Sequence, residues 1–331
     1  MITTPYSRKP DPAGHRQGPP RPRRGPRVCR VPRSALALVL AVVVVLGGCS
    51  RAAGTDGDVT NGWGPLPAAS AWVAPVGACL TGSGLVGFGD RGDPAVAPVD
   101  CAKPHKLEVV KTGRFADGAD VPGWGSDALR AAFDDCGAAA TEYVGADWHT
   151  GWLFPHVGRP STAAWKSGAR AYTCGLAELV STRYPAEAVE RTGSLKGAAA
   201  RVAVGCALLV GGLADGQGFY THITGEQRID CAAEHDAEFA ATIELPAGTY
   251  PAAESQDLFV GPRCGRAVAA LLGLSEQAMQ RRRDVRIYYT WLDDQTQWQA
   301  GHRVSTCYAM VAATHKVRAS LKGLGTGPLP Y

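Results

Sequence analysis

The pattern Trp-x-x-Gly-x-Arg-x-x-x-Cys occurs twice in this chain, as Trp165, Gly168, Arg170, Cys174 and again as Trp298, Gly301, Arg303, Cys307. Each copy closes a stretch opened by Cys-x-x-x-His-x-x-Glu, first Cys101, His105, Glu108 and then Cys231, His235, Glu238. The Cys-to-Trp interval is 64 residues in the first copy and 67 in the second, so order and spacing both repeat. A period of roughly 130 residues exceeds the 20 to 50 of a solenoid unit, so each copy is expected to be a module with its own core.

Cysteine usage limits how such modules are held together. Of ten cysteines, Cys29 lies in an N-terminal leader and Cys49 at the end of an apolar run. Eight remain, four per module: Cys79, Cys101, Cys136, Cys174 and Cys206, Cys231, Cys264, Cys307. An even set in an exported chain implies disulfides, two bridges per module, with the pairing left open among the alternatives. Structural zinc clusters usually bring close Cys-x-x-Cys pairs, and the chain has none, so no metal is assigned.

The N-terminus explains the charge. Nine of the 34 basic side chains and one acid fall in the first 48 residues, leaving a formal charge of −4 on the remainder. The overall +4 therefore belongs to a leader, and no nucleic-acid partner is expected from residues 49–331. Arginines followed by the uncharged run Ala35 to Leu46 have the form of an export signal. Leu46-Gly47-Gly48-Cys49 resembles a bacterial lipobox, which makes Cys49 the expected lipidation site; an uncleaved single-span anchor is the alternative. Either form places the bulk of the chain at the extracytoplasmic face of the plasma membrane.

The chain divides into a disordered basic leader (1–34), the signal and lipobox segment (35–49), a linker (50–70), module one (71–182), module two (197–313) and a loosely held tail (316–331). In module one, 72–80 and 107–115 are β-prone, and Ser126 caps a helix whose stripe is Leu129, Phe133, Cys136, Ala140 and Tyr143. Two strands follow, near 152–154 and 169–176. Module two repeats the order, with a helix over 255–272 carrying Leu258, Cys264, Val268 and Leu271, in which Pro262 implies a kink or a later start. The extra segment Glu276 to Asp284, with Arg281-Arg282-Arg283, reads as a solvated loop or short helix. The fold class is α+β: two tandem modules, each an antiparallel sheet with one packed helix, stapled by disulfides.

The repeated residues read as structural. Trp165 and Trp298 plug a core edge, Gly168 and Gly301 admit a turn, and Arg170 and Arg303 share a strand face with Cys174 and Cys307. His105 and Glu108, three apart on a strand, are expected on opposite faces, so the pair is not expected to form one site; the same holds for His235 and Glu238. No hydrolase elbow, phosphate loop or zinc-protease motif is present, and no catalytic residue or cofactor is assigned. The competing readings are an envelope hydrolase with a cleft between the modules that uses His105 or His235, and a metal or small-ligand sensor using His105 and Glu108.

Cys101-Ala102-Lys103-Pro104-His105-Lys106-Leu107-Glu108-Val109-Val110 resembles the Cys-x-x-Pro-His-x-x-Glu-Val-Val signature of the actinobacterial septum formation family. Gly77-Ala78-Cys79, Cys136 and the Trp-to-Cys ending fit the same pattern. Module two departs from it: Glu234 stands in place of the proline and Phe239-Ala240 in place of Val-Val, as in a diverged second copy. The resemblance implies an extracytoplasmic domain of a membrane protein or lipoprotein, with a cell-envelope or division protein as partner. It implies no catalytic residues.

Overall fold

The computed structural model describes residues 72–82, 96–183, 186–292 and 294–331. The leader, the signal segment with Cys49 and the linker lie outside the described residues. Among those that are described, no helix is long and apolar enough to cross a membrane.

Two five-stranded antiparallel sheets follow one another along the chain. The first holds β1 (Cys79–Gly82), β2 (Val96–Val99), β3 (Leu107–Arg114), β4 (Leu153–Gly158) and β5 (Ala171–Glu178) in the order β2-β1-β3-β5-β4. The second holds β6 (Cys206–Ala214), β7 (Tyr220–Ile229), β8 (Ala237–Glu244), β9 (Arg286–Tyr289) and β10 (Val304–Met310) in the order β7-β6-β8-β10-β9. The connectivity is the same in both. Each sheet has one strand more than its sequence suggests, β2 in the first and β7 in the second. Both are edge strands: Pro98 sits in β2, where a missing N–H costs no ladder bond, and β7 is mostly polar because most of its residues keep contact with water.

Helix α1 (Asp127–Val144) lies on the first sheet. Ser126 caps it through a 3.3 Å bond from the Leu129 N–H to its Oγ, and Gly145 ends it in the left-handed conformation at φ 87°. Its buried stripe is Leu129, Phe133, Cys136, Ala140 and Val144. The short helix α2 (Thr162–Lys166) carries Trp165, and α3 (Ala199–Val202) leads into the second sheet. There the long helix is α4 (Ala253–Leu272), followed by α5 (Glu276–Arg281) and α6 (Gln295–Ala300). Pro262 neither delays nor ends α4. The buried face runs Gln256, Val260, Cys264, Val268 and Leu272 at four-residue steps, which puts Leu258 on the opposite, exposed side rather than in the stripe.

The disulfides pair consecutive cysteines within each module: Cys79–Cys101 and Cys136–Cys174, then Cys206–Cys231 and Cys264–Cys307. One bridge in each ties the first strand to the turn ahead of the next core strand, and the other ties the long helix to the sheet beneath it. The C-terminal residues are not loosely held. Val317, Leu321 and Leu329 are buried against α4 residues Val268 and Leu272, and the N–H groups of Gly323 and Gly325 reach the carbonyls of Leu271 and Leu272 at 2.8 and 2.7 Å. Those bonds satisfy the last, otherwise orphaned carbonyls of α4.

Candidate functional site

In module one the His–Glu pair meets after all. His105 forms an isolated β-bridge with Arg191 two residues ahead of β3, and the bend at Lys106 between them interrupts the alternation of a continuous pleated strand. Its Nδ1 faces the Lys103 carbonyl at 2.9 Å, and its Nε2 faces Glu108 Oε1 at 3.3 Å. Both side chains are buried. Around Glu108 the donors converge: Arg191 Nη1 at 2.6 Å, the Leu195 N–H at 2.8 and 2.9 Å to the two oxygens, Ser194 Oγ at 2.9 Å and Tyr143 Oη at 3.0 Å. Three of these four donors come from residues 191–195, in the stretch left between the two modules. That stretch is a clasp. Arg191 exchanges both backbone hydrogen bonds with His105 at 2.9 Å, and its side chain then carries charge to Glu108.

Module two has the same clasp, built from the C-terminal segment. His235 and Val317 exchange backbone bonds at 2.9 Å, His235 Nδ1 faces the Ala233 carbonyl at 2.8 Å, and Glu238 accepts from Ser320 Oγ at 2.6 Å and from the Leu321 N–H. Aligned on these bonds, Ser194-Leu195-Lys196-Gly197 matches Ser320-Leu321-Lys322-Gly323. This third repeated motif escapes a search keyed to cysteine and histidine, although four identical residues at equivalent places were available to find it. Arg191 is replaced by Val317. Among the described residues the second carboxylate consequently has no guanidinium partner, and His235 Nε2 has no hydrogen-bond partner.

Cys79, His105 and Glu108 bring potential ligand atoms within 4.8 Å of one another, as do Cys206, His235 and Glu238. The chemistry of the donors does not suit a metal. Each sulfur is in a disulfide and carries no thiolate charge, and each carboxylate already accepts from a serine hydroxyl and a leucine N–H. The two histidines also sit in separate clasps, one per module, and are not brought together in a cleft.

The Trp-to-Cys ending does the work of a corner. Trp165 Nε1 donates to the Gly118 carbonyl at 3.2 Å, and Trp298 Nε1 to the equivalent Gly248 carbonyl at 2.8 Å. Gly168 and Gly301 turn the chain at φ 94° and 106°, a region that favours glycine. Arg170 precedes β5 by one residue, and its guanidinium lies over the Trp165 ring at 3.9 Å while its Nε donates to Asp117 Oδ1 at 3.1 Å. Arg303 precedes β10 in the same way and faces Glu244 at 3.9 Å.

The sheets are joined through side chains that no repeat predicts. Trp152, ahead of β4, is fully buried against the second sheet's Ala207, Leu209, Tyr288 and Tyr308. Its N–H reaches the Val202 carbonyl at 2.7 Å, and the Val204 N–H reaches the Thr150 carbonyl at 2.8 Å. In exchange, Ala300 of α6 joins the first core, and His302 packs its ring against Phe133, Trp148 and Phe154 at 6.5, 6.0 and 5.7 Å. Thr182 bonds Glu226 and, at 2.8 Å, Tyr308 Oη, while burial pushes the Glu226 carboxyl above its usual range.

Burial, then the charges of His149 and Arg303, hold His302 down to about 3 from an ordinary 6.5. The unfolded chain takes up this proton below about 6.5 while the folded ring resists it to about 3, so the contribution is complete above 6.5 and lost as pH falls through that window. Between pH 7 and pH 4.5 the wild type is expected to lose about 1–3 kcal/mol more than His302→Phe in paired urea titrations. Equal losses would show that His302 does not link the sheets to pH.

Fold and sites together define a disulfide-stapled pair of α+β modules whose repeated polar residues are turned inward. The chain belongs to the septum formation family, whose model matches residues 76–307 in a run that passes through both sheets. Membership points to a role in cell division and the envelope. No curated protein and no solved structure matches the chain.

Proposed function

We propose that this protein is an extracytoplasmic lipoprotein, tethered to the plasma membrane through Cys49, whose paired sheets act without catalysis by binding an envelope or division component. The observation that carries this reading is that both His–Glu pairs are spent on internal clasps, so the most reactive side chains of the repeat hold segments of their own chain in place. Four disulfides suit an oxidising compartment, and family membership supplies the division context. Replacing Cys49 by Ser is expected to shift the protein from the membrane fraction to the soluble one and to remove the lipid increment from its mass. In-cell crosslinking with mass spectrometry is expected to capture envelope or division proteins. Retention of the serine variant at the membrane would defeat the lipid tether, and capture of cytosolic proteins alone would defeat the location.

A further inference from the structure

The two sheets have one connectivity but differently covered faces. On the second sheet, the face away from α4 holds Ala207, Ala237, the cross-strand pair Tyr288 and Tyr308 with ring centroids 5.7 Å apart, and over them the indole of Trp152. Matching Cys79 to Cys206 and Cys174 to Cys307 gives the same face of the first sheet as Leu80, Leu107 and the cross-strand pair His156 and Gly175. Two tyrosine rings have become an imidazole and a hydrogen atom, and among the described residues no indole from a neighbouring module lies above them. A cavity of about 280 Å³ occupies that place, lined by Leu80, Val96, Leu107, His156, Ala171 and Thr173.

The mouth of the cavity is open, with Arg159 and Ser161 on one stretch of its lining and apolar side chains on another. Trp72 and Val73 line it with 61% and 38% of their surface exposed, and Val76, close by in sequence, is 58% exposed. Exposed apolar groups gathered at one place mark an interaction site far more often than scattered ones. Burial, then Arg159, holds His156 down to about 4, so its ring is uncharged at neutral pH and suits an apolar guest. The main chain is less available than on the second sheet. The Gly77 N–H is bonded to the Val109 carbonyl at 2.7 Å and the Ala78 N–H to the Pro75 carbonyl at 3.0 Å, whereas on the second sheet the Val202 carbonyl accepts the Trp152 N–H and the Val204 N–H donates to the Thr150 carbonyl, both in the segment that delivers Trp152. Recognition on the first sheet therefore falls to the side chain that enters the cavity.

We propose that this face of the first sheet is a docking site for an aromatic side chain, foremost tryptophan, presented by a segment of a partner protein, in the manner in which the second sheet receives Trp152. The proposal rests on the reading of the protein as a binding module and names the chemistry of what it binds. The exposed side chains of Trp72 and Val73 at the mouth offer apolar surface outside the cavity, which suits a protein segment better than a free small molecule. The occupant of the second face is itself such a segment.

The test is fluorescence anisotropy with the purified full-length chain and a labelled, end-blocked peptide of the sequence His149 to Phe154, which carries Trp152. Saturable binding is expected, at least ten-fold weaker when the peptide tryptophan is replaced by alanine, and at least ten-fold weaker with Ala171→Phe, which fills the cavity from its rim. Trp72→Ala and Val73→Asp alter only exposed or half-exposed side chains and are expected to weaken binding while leaving the melting curve in place; they decide the matter if Ala171→Phe misfolds. Absence of saturable binding, or equal binding by all variants, overturns the proposal. So does equal binding of N-acetyltryptophanamide, which would make the guest a small molecule, and so does self-association abolished by Ala171→Phe, which would make it a second copy. In cells, unchanged crosslinks from Ala171→Phe would remove this face from the interaction while leaving the binding-module reading intact. Loss of every envelope crosslink from the wild type would remove that reading instead.

Discussion

Replacing Glu108 by alanine is expected to cost about 3–5 kcal/mol of unfolding free energy, more than its counterpart Glu238→Ala, for which about 1–3 kcal/mol is expected. The two carboxylates occupy the same place in the same fold, and both receive a serine hydroxyl and a leucine N–H. They differ in what faces them besides. Glu108 holds the guanidinium of Arg191, itself nearly buried, together with the Tyr143 hydroxyl and the His105 ring. Truncation leaves that cation with Glu178, at 3.2 Å, as its one remaining counter-charge among the described residues, and a desolvated charge that loses a close partner is among the most expensive single defects a core can carry. In the second clasp Val317 stands where Arg191 would be, so removing Glu238 strands neutral donors only. The comparison is read by urea denaturation of each variant against wild type. Equal losses would show that the guanidinium contributes nothing beyond the shared hydrogen bonds, while a larger loss for Glu238 would invert the account of the two clasps. Glu108→Gln, which keeps the shape and removes the charge, is expected to fall between wild type and alanine.

What the sequence discloses follows from what its patterns encode. The spacing of Leu129, Phe133, Cys136 and Ala140 reports a buried helical face because burial imposes that period, and Ser126 and Gly145 mark its ends by their capping chemistry. The repeat of Trp, Gly, Arg and Cys likewise discloses two units of one connectivity. Edge strands are harder to see: β7 is exposed along most of its length and has no reason to alternate clearly. The direction of His105 is invisible for another reason. It depends on where β3 begins, and a shift of strand onset by two residues decides whether histidine and glutamate point apart or meet. The clasps were legible in principle through Ser194-Leu195-Lys196-Gly197 and Ser320-Leu321-Lys322-Gly323, but these residues look like linker composition until a buried carboxylate gives them a partner. Trp152 and His302 carry no sequence signal of the contact they make, because joining two modules is a property of their arrangement and has no period along the chain.

Reduction of the four disulfides is expected to unfold the chain at 37 °C, in two stages. The bridges close loops of 22, 38, 25 and 43 residues, and each loop of that size removes about 3–4 kcal/mol of chain entropy from the unfolded state. Four such terms together match or exceed the 5–15 kcal/mol typical of a whole domain, so a fully reduced chain has little left to oppose unfolding. Access decides the sequence of events. Cys101 and Cys231 are partly exposed, whereas both sulfurs of Cys136–Cys174 and of Cys264–Cys307 are sealed between helix and sheet. A thiolate reductant must reach a sulfur to open the bridge, so under native conditions Cys79–Cys101 and Cys206–Cys231 are expected to open first and the helix–sheet bridges only through wider unfolding. Timed quenching with an alkylating reagent, followed by intact mass and peptide mapping, separates the stages: four labels appear early on Cys79, Cys101, Cys206 and Cys231, and the remaining four appear together with the loss of the far-ultraviolet signal. Labelling of Cys136 and Cys174 at the same early rate would mean that α1 leaves its sheet readily, and a fully labelled chain that still melts cooperatively near the wild-type temperature would show that the hydrophobic cores and the two clasps hold the fold without sulfur.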